Sequence, residues 1–267
     1  MLGHIMVYSC YSFQNSTILM EELCQRASDL NLQALSLTDV NMFGTMEFTK
    51  ACHKYNIKPI YGLEALVSIE GEIYPLILIA KNIAGYYALL HVSSHISLSP
   101  EKSIVLEDLC PFQQDLFFIC ASNHSIIERL LNKELIQEAT HHIKQFKTYF
   151  KDHFYIGMAR HNIARQEQIN EKLLALAKQY KVPVCASNEV RYLKKEDAYT
   201  LDLLQAIAKG ESMDANHQPI TDQKYLKSGS QMDALFSTDI ITNTDTILQQ
   251  ANVTIPTGVL HMPTFPV

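Results

Sequence analysis

Short apolar runs of four to seven residues alternate along the chain with longer stretches in which apolar residues have helical spacing. The strand-like runs lie at residues 5–8, 34–37, 58–61, 74–80, 116–121, 154–158 and 182–186. The helical stretches between them lie at residues 18–30, 46–55, 84–94, 125–131, 133–150 and 165–180. This alternation is typical of βα units built around parallel strands.

The first helical stretch illustrates the spacing on which these predictions depend. Its apolar residues recur at intervals of four, four and three residues: Leu19, Leu23, Ala27 and Leu30. Thr17 or Ser16 is the candidate N-cap, because a side-chain hydroxyl can accept a hydrogen bond from an N–H group of the first turn.

Seven strand–helix repeats within about 190 residues predict an α/β fold whose strands form a closed or nearly closed TIM-like barrel. An open doubly wound sheet is the alternative, but no Gly-rich phosphate-binding turn follows the first strand. Parallel barrels carry their functional sites at the C-terminal ends of the strands. The side chains expected at those ends are Tyr8, Asp39, Val40, Glu64, Ser122 and Glu189.

The pattern changes after Tyr192, where polar loops and shorter helices replace the strand–helix repeats. Helices are predicted at 195–208, 231–236 and 242–251, with Gly210 as the C-cap of the first. A polar loop at 211–223 separates them, and residues 252–267 are extended with three prolines. We therefore predict a barrel over residues 1–194 and a helical extension over residues 195–267.

Composition limits the classes of function that the chain can have. With 47% apolar and 19% charged residues, the chain can bury a sizeable core. Its formal net charge of −6 argues against a surface that binds nucleic acid unaided, since such surfaces are basic. The sequence lacks an apolar run of about 18 residues, which argues against a membrane span. No basic-then-apolar signal segment opens the chain and its six cysteines form no C-x-x-C pair, so we expect reduced thiols in the cytoplasm.

Three segments near the start of the chain form a recognisable series: MVYSCYS at 6–12, ALSLTDVNMFG at 34–44 and KPIYGLE at 58–64. The series resembles the opening of the PHP (polymerase and histidinol phosphatase) domain of bacterial DNA polymerase III alpha subunits. In that family the first two segments read H-x-H-x-x-x-S and T-D-H-G-N-M-F-G. Later segments resemble the family in the same order: YPLILIAKNIAGYYALL at 74–90, VPVCASNEVRYL at 182–193 and HMPTFPV at 261–267. Asn15-Ser16, in place of the common D-G, resembles the Gram-positive branch.

The resemblance covers nearly the whole chain and implies a PHP-type distorted (βα)7 barrel, followed by a helical extension that leads toward a polymerase palm. The complete proteins of the family are DNA-directed DNA polymerases, and their palm carboxylates are not in this chain. The resemblance therefore implies a structural and interaction module without an activity of its own. The partners it implies are the remainder of the polymerase alpha subunit, other replisome subunits, and DNA only in the context of the full enzyme.

Active PHP domains hold two or three divalent metal ions with His, Asp, Glu and sometimes Cys side chains, and the ions activate water and clamp phosphate oxygens. The resemblance places these ligand positions at Met6, Tyr8, Asn15, Val40, Glu64, Pro75, Ser122, Glu189 and Arg191. Of these nine positions, only Glu64 keeps the family's residue, and Glu189 is a conservative replacement. Thioether, aliphatic and proline side chains cannot coordinate hard cations. The resemblance thus predicts a dismantled site with no catalytic residue, no bound metal and no other cofactor.

Two carboxylates left in a metal-free pocket would repel each other and lose hydration. We predict that Arg191 replaces the missing cation through a two-pronged pair with Glu64 or Glu189. Two enzymatic alternatives stay open. One is a metal-dependent phosphoesterase with a rearranged site, such as a 3′–5′ exonuclease or a pyrophosphatase that requires a divalent metal. The other is a phosphatase of the histidinol phosphate type, against which the polymerase-like segment at 261–267 argues.

Other polar side chains are expected to have structural roles. Asp39 is predicted to cap the turn that follows it. His141 and His142 are adjacent, so on a helix they would point in different directions and lie on the surface. The tyrosines expected to fill the space left by the metals are Tyr8, Tyr11 and Tyr61.

Overall fold

The computed structural model describes residues 1–121, 124–213, 217–256 and 258. The strands are β1 Gly3–Val7, β2 Ala34–Leu37, β3 Lys58–Ile69, β4 Glu72–Ala80, β5 Ile104–Val105, β6 Leu116–Cys120, β7 Phe154–Met158 and β8 Val184–Ala186. The α-helices are α1 Met20–Asp29, α2 Thr45–Lys54, α3 Ile83–Leu98, α4 Ile126–Asn132, α5 Ile136–Phe150, α6 Gln166–Tyr180, α7 Ala198–Lys209, α8 Gly229–Leu235 and α9 Thr238–Gln250. The predicted site residue Ser122 and the polymerase-like segment 261–267 lie outside the described residues.

Seven of these strands form one continuous path in the order β1, β2, β3, β4, β6, β7, β8, and the short β5 pairs with β3. The two ends of the path meet just beyond β8, where Val190 forms a parallel bridge with Val7. Two backbone hydrogen bonds hold this closure: Tyr8 N donates to Val190 O at 2.9 Å, and Val190 N donates to Met6 O at 3.0 Å. The predicted nearly closed barrel is confirmed.

The fourth strand of the barrel runs against its neighbours. β4 is antiparallel to both β3 and β6, so the prediction of seven parallel strands is wrong at this position. β3 does not end at Tyr61 but continues to Ile69, and its buried residues alternate along the added length. Glu70 and Gly71 then reverse the chain at positive φ angles of 51° and 83°, so β4 follows as a hairpin with no helix between the strands.

Apolar side chains fill both faces of the sheet. The larger hydrophobic cluster lies between the sheet and the surrounding helices. A smaller cluster fills the barrel interior, and its members come from alternating strand positions together with α9: Ile5, Ile60, Ile77, Ile79, Phe117, Ile119, Tyr155, Ile247 and Leu248. Tyr61 belongs to the outer cluster, where its hydroxyl lies 2.9 Å from Thr49 Oγ1, so the prediction that Tyr61 fills the metal pocket is wrong.

Helix α9 fills the gap between β1 and β8 where these strands do not pair. Ala186 N of β8 donates to Thr244 Oγ1 at 2.8 Å, and Asn243 Nδ2 donates to Val184 O at 2.8 Å. On the other side of the gap, Leu2 N donates to Asp245 Oδ1 at 2.7 Å. Three polar side chains of one helix therefore satisfy strand-edge groups that a neighbouring strand would otherwise satisfy. A helix from the predicted extension thus completes the barrel.

The loop between β1 and α1 differs from its predicted form. Helix α1 begins at Met20 with Leu19 as its N-cap, and no side chain caps it, so the predicted caps at Thr17 and Ser16 are wrong. Ser16 Oγ instead lies 2.8 Å from Tyr8 O and 2.9 Å from the carbonyl oxygen of Arg191. Ser16 therefore joins the end of β1 to the segment after β8. None of the helices in the described part of the chain has the length and apolar character to cross a membrane.

Candidate functional site: a buried charge cluster at the barrel mouth

A cavity of about 410 Å³ opens beyond the carboxyl ends of the strands. Five of the nine predicted positions line it: Asn15, Val40, Glu64, Glu189 and Arg191. Met6 and Tyr8 lie next to these positions as fully buried members of the interior cluster. Pro75 is half-buried opposite Leu66 in the β3–β4 ladder and is not part of the cavity wall. The structure therefore brings most of the predicted positions together.

Arg191 pairs with Glu189, which is one of the two glutamates predicted as its partner. Its Nε and Nη2 atoms donate to Glu189 Oε1 at 3.1 and 2.8 Å, and its Nη1 atom donates to the backbone oxygen of Asn15 at 3.0 Å. Both prongs thus reach the same carboxylate oxygen rather than one oxygen each. The pair is largely withdrawn from solvent, since the side chains of Arg191 and Glu189 are 13% and 4% exposed.

The second oxygen of Glu189 is held by Lys224, a residue that the sequence analysis missed. Lys224 Nζ lies 2.8 Å from Glu189 Oε2. A backbone hydrogen bond from Arg191 N to Lys224 O, 2.9 Å long, aligns the two cationic residues side by side. Burial alone would raise the pKa of Glu189, but the charges of Lys224 and Arg191 outweigh it and hold that pKa well below its usual range. Glu189 is therefore ionised, and a cationic side chain balances its charge at each of the two carboxylate oxygens.

Tyr8 connects the second carboxylate to this cluster. Its hydroxyl donates to Glu64 Oε2, and the guanidinium carbon of Arg191 lies 3.9 Å from the centre of the Tyr8 ring. Burial and the nearby charge of Glu64 raise the pKa of Tyr8 well above its usual value. Burial also raises the pKa of Glu64, against the opposing effects of Arg191 and the Tyr8 hydrogen bond. Tyr8 is thus a neutral hydrogen-bond donor, and it lies at the barrel mouth, where the prediction placed it.

Asp39 lies deeper, at the end of β2, and orders the loop after β1. Its oxygens accept hydrogen bonds from Ser9 N at 2.7 Å, Ser9 Oγ at 2.6 Å and Ser12 Oγ at 2.6 Å. Burial raises the pKa of this carboxyl, and the three hydrogen bonds oppose the rise. The prediction that Asp39 caps the following turn is wrong, because its partners precede it in the chain. Ser9 and Ser12 act as donors that support the mouth.

Two further buried titratable groups lie near the charge cluster, and neither was predicted from the sequence as a site residue. Burial, together with the negative charge of Glu189, raises the pKa of Glu128 on α4 to about 7. Burial lowers the pKa of His161 to about 4, and its Nε2 atom lies 2.8 Å from Asn188 O. Both residues follow strands that end at the mouth. The periodicity of the sequence can show that such a position is buried, but it does not identify the charged groups that lie next to it.

Glu64 and Glu189, the two predicted carboxylates at the mouth, are engaged by neighbouring side chains. Glu189 has a cation on each oxygen, and Glu64 accepts a hydrogen bond from Tyr8. Among the described residues of the mouth, no three His, Cys, Asp or Glu side chains bring ligand atoms within 4.8 Å of one another. A cluster of two or three cations needs more converging donors than the described residues supply at the mouth.

Fold and site together define the class of this protein. A model of the PHP domain matches residues 4–161, and the chain belongs to that family. DNA polymerase III subunit alpha of Bacillus subtilis (strain 168) is 31% identical over 271 residues, which is 98% of this chain and 24% of that protein. The subunit from Borreliella burgdorferi is 31% identical over 88% of this chain and 22% of its own length. The chain thus spans about a quarter of the length of these relatives. Among solved structures, an amidohydrolase from Chromobacterium violaceum aligns over 69% of this chain and 85% of its own, with 13% identity and a TM-score of 0.44.

Proposed function

We propose that this chain is the PHP-domain part of a DNA polymerase III alpha subunit and acts there as a non-catalytic structural module. The similarity to alpha subunits over nearly the whole chain supports the assignment to that protein. The charge cluster at the mouth supports the absence of catalysis. In this proposal, two protein cations occupy the place that divalent ions take in active members of the family.

The observation that carries the proposal is the position of Arg191 and Lys224 on the two oxygens of Glu189. Together with Glu64, whose side chain is partly exposed in the cavity, these residues bring two carboxyl groups and two cations into one largely buried set. A divalent cation entering this set would meet two fixed positive charges and would have to displace both from Glu189. The module therefore stabilises its own mouth with ion pairs instead of metal coordination.

The role that follows is one of packing and interaction within a larger protein. We propose that the module packs against the remainder of the alpha subunit in the cytoplasm, and that it meets DNA and other replisome subunits only in the complete enzyme. The formal charge of −6 supports this division, because a domain that binds DNA unaided carries a basic surface. Two aromatic side chains on the mouth loops, Phe13 and Phe43, are each 76% exposed and are candidates for such packing.

The experiment that tests this proposal looks for phosphoester chemistry and for metal at the mouth. The chain is incubated with Mn²⁺ or Zn²⁺ and assayed with single-stranded DNA 3′ ends, pyrophosphate and bis(p-nitrophenyl) phosphate. Anomalous diffraction from crystals soaked in Mn²⁺ locates any bound ion. We expect no hydrolysis above that of a Glu64→Ala variant and no anomalous peak beside Glu64 or Glu189.

Hydrolysis that Glu64→Ala abolishes would contradict the proposal and establish a metal-dependent phosphoesterase. The exposed Glu101 provides a matched control, since Glu101→Ala removes a carboxylate away from the mouth. Activity that survives both substitutions would indicate a contaminating nuclease. Binding of the chain to the separately expressed remainder of the alpha subunit tests the packing role, and failure to bind would contradict that part.

A further inference from the structure

We propose that Glu70, His141 and His142 form a binding site for a Zn²⁺-like transition metal ion, separate from the barrel mouth. One ligand atom from each side chain lies within 4.8 Å of the ligand atoms of the other two. Glu70 belongs to the turn between β3 and β4, and both histidines belong to α5. These residues are more than 70 positions apart in sequence, so only the fold brings them together.

The three side chains share a cavity of about 360 Å³. This cavity has no residue in common with the cavity at the mouth. Its wall also includes Glu138, which lies one helical turn before the histidines on α5. An ion held by three protein ligands needs a fourth donor, and Glu138 or a water molecule can supply it.

The environment of His142 is the second observation that points to a ligand. His142 is only 4% exposed, so the prediction that both histidines lie on the surface is wrong for this one. Its Nδ1 atom lies 3.1 Å from Gln145 Oε1, and in the tautomer that donates this hydrogen bond the Nε2 lone pair is available to a metal ion. Histidine ligands of metals characteristically donate their second ring N–H to such an acceptor.

The two histidine rings approach each other instead of diverging. Their centres are 5.3 Å apart and their planes are inclined by 78°. Adjacent helical residues point about 100° apart, but the long side chains swing toward the same cavity. Glu70 reaches that cavity from a turn in which it has a positive φ of 51°.

The chemistry of the donors selects the class of metal. Two imidazole nitrogens and a carboxylate suit Zn²⁺, Ni²⁺ or Cu²⁺ better than Mg²⁺ or Ca²⁺, which prefer sites made of oxygen donors. Around a tetrahedral Zn²⁺ ion the ligand atoms are about 3.3 Å apart, so binding requires only a modest contraction of the present spacing. The ion would join the β3–β4 hairpin to α5 and stabilise the folded chain.

The test measures Zn²⁺ binding by calorimetry to the 267-residue chain after chelator treatment. The variants are Glu70→Gln and His141→Ala; both residues are exposed, so neither substitution opens the core. The controls are His53→Ala, an exposed histidine elsewhere, and Glu64→Gln at the mouth. We expect one equivalent of Zn²⁺ for the wild type and both controls, and affinity weaker by about tenfold or more in the two variants. Zn²⁺ should also raise the unfolding temperature of the wild type, and a chelator should reverse the rise.

Co²⁺ provides a spectroscopic readout of the same site, because tetrahedral Co²⁺ absorbs visible light much more strongly than octahedral Co²⁺. No stoichiometric binding by the wild type, or equal affinity in all five proteins, would overturn the site. Loss of binding in Glu64→Gln alone would place the ion at the mouth, which would overturn this site and contradict the proposed function. Loss in Glu70→Gln and His141→Ala alone supports the site and leaves the proposed function unaffected.

Discussion

Lys224 Nζ lies 2.8 Å from Glu189 Oε2, the carboxylate oxygen that Arg191 leaves open. The buried Glu189 is therefore neutralised by two cations that arrive from different segments of the chain. Breaking one contact of a buried ion pair is costly because the remaining charge stays out of water. The free energy of unfolding of variants at the mouth is therefore the measurement that tests this arrangement most directly.

Replacement of Arg191 by Met should destabilise the chain by about 3–5 kcal/mol, since Glu189 loses one of its two cations while it stays buried. Urea denaturation at pH 7.5 measures the free energy of unfolding. The double variant Arg191→Met with Glu189→Gln should recover part of the loss, because it removes one negative charge together with the positive one. The exposed pair of Lys54 and Glu21 is the control, and Lys54→Met should change the free energy of unfolding little. An Arg191→Met variant as stable as Lys54→Met would show that the ion pair is not what holds the mouth together.

Replacement of Glu128 by Gln should stabilise the chain at high pH. The pKa of Glu128 is about 7 in the folded chain and near 4.5 when unfolded, so the folded state binds the proton more tightly. The contribution of Glu128 to the free energy of unfolding therefore falls as pH rises from 4.5 to 7. Above pH 7 the buried carboxylate is ionised and its full destabilising effect remains. We expect Glu128→Gln to gain about 2–3 kcal/mol at pH 8 and almost nothing at pH 4. Denaturation at both values measures the difference, with the exposed Glu22→Gln as a control that should show no such pH-dependent gain.

His161 should make the chain sensitive to mild acid. Its pKa is about 4 in the folded chain and 6.5 when unfolded, so its contribution is complete above pH 6.5 and is lost as pH falls toward 4. Replacement by Gln keeps a donor for Asn188 O and removes the titration. Acidification from pH 7.5 to pH 4 should lower the free energy of unfolding of both proteins. The decrease should be roughly 3 kcal/mol smaller in His161→Gln than in the wild type. Parallel pH profiles for the two proteins would contradict a buried neutral histidine.

Replacement of Thr244 by Val should weaken the closure of the barrel. The hydroxyl of Thr244 accepts the hydrogen bond of Ala186 N, and Val has nearly the same shape without an acceptor. A buried N–H left without a partner costs about 1–3 kcal/mol. Thr244→Ser keeps the acceptor and is the matched control, so it should be less destabilised than Thr244→Val. Amide hydrogen exchange at Ala186 should accelerate in Thr244→Val only, and unchanged exchange there would argue that α9 does not close this edge.

Much of the fold could be predicted from the sequence because burial imposes periodicity. The strand at 34–37 and the strand at 154–158 have the predicted bounds, and the barrel is confirmed. Strand direction was predicted incorrectly at β4, because a continuous apolar run looks the same whichever way the strand runs. The hairpin depended on Glu70 and Gly71, a two-residue turn that the apolar pattern does not show.

The candidate site was predictable only where it coincides with a motif. Motif positions identified Glu64, Glu189 and Arg191, which the structure brings to one cavity. Lys224 and Glu128 carry no such signal, because a lone charged residue in an unpatterned loop or short helix has no sequence feature that names its partner. Lys224 nevertheless lowers the pKa of Glu189, and Glu189 adds to the effect of burial in raising the pKa of Glu128.

By itself the sequence determined the order of the main strands and helices and the family to which the chain belongs, and it predicted that most metal-ligand residue types of that family are replaced at the barrel mouth. These properties are local, since each depends on residue type and on spacing along one segment. Only the tertiary structure decided that Lys224 joins Arg191 on Glu189, that α9 closes the barrel, and that Glu70 meets His141 and His142. These contacts depend on how distant segments approach each other in space, and buried charges interact strongly with whatever that approach brings near them.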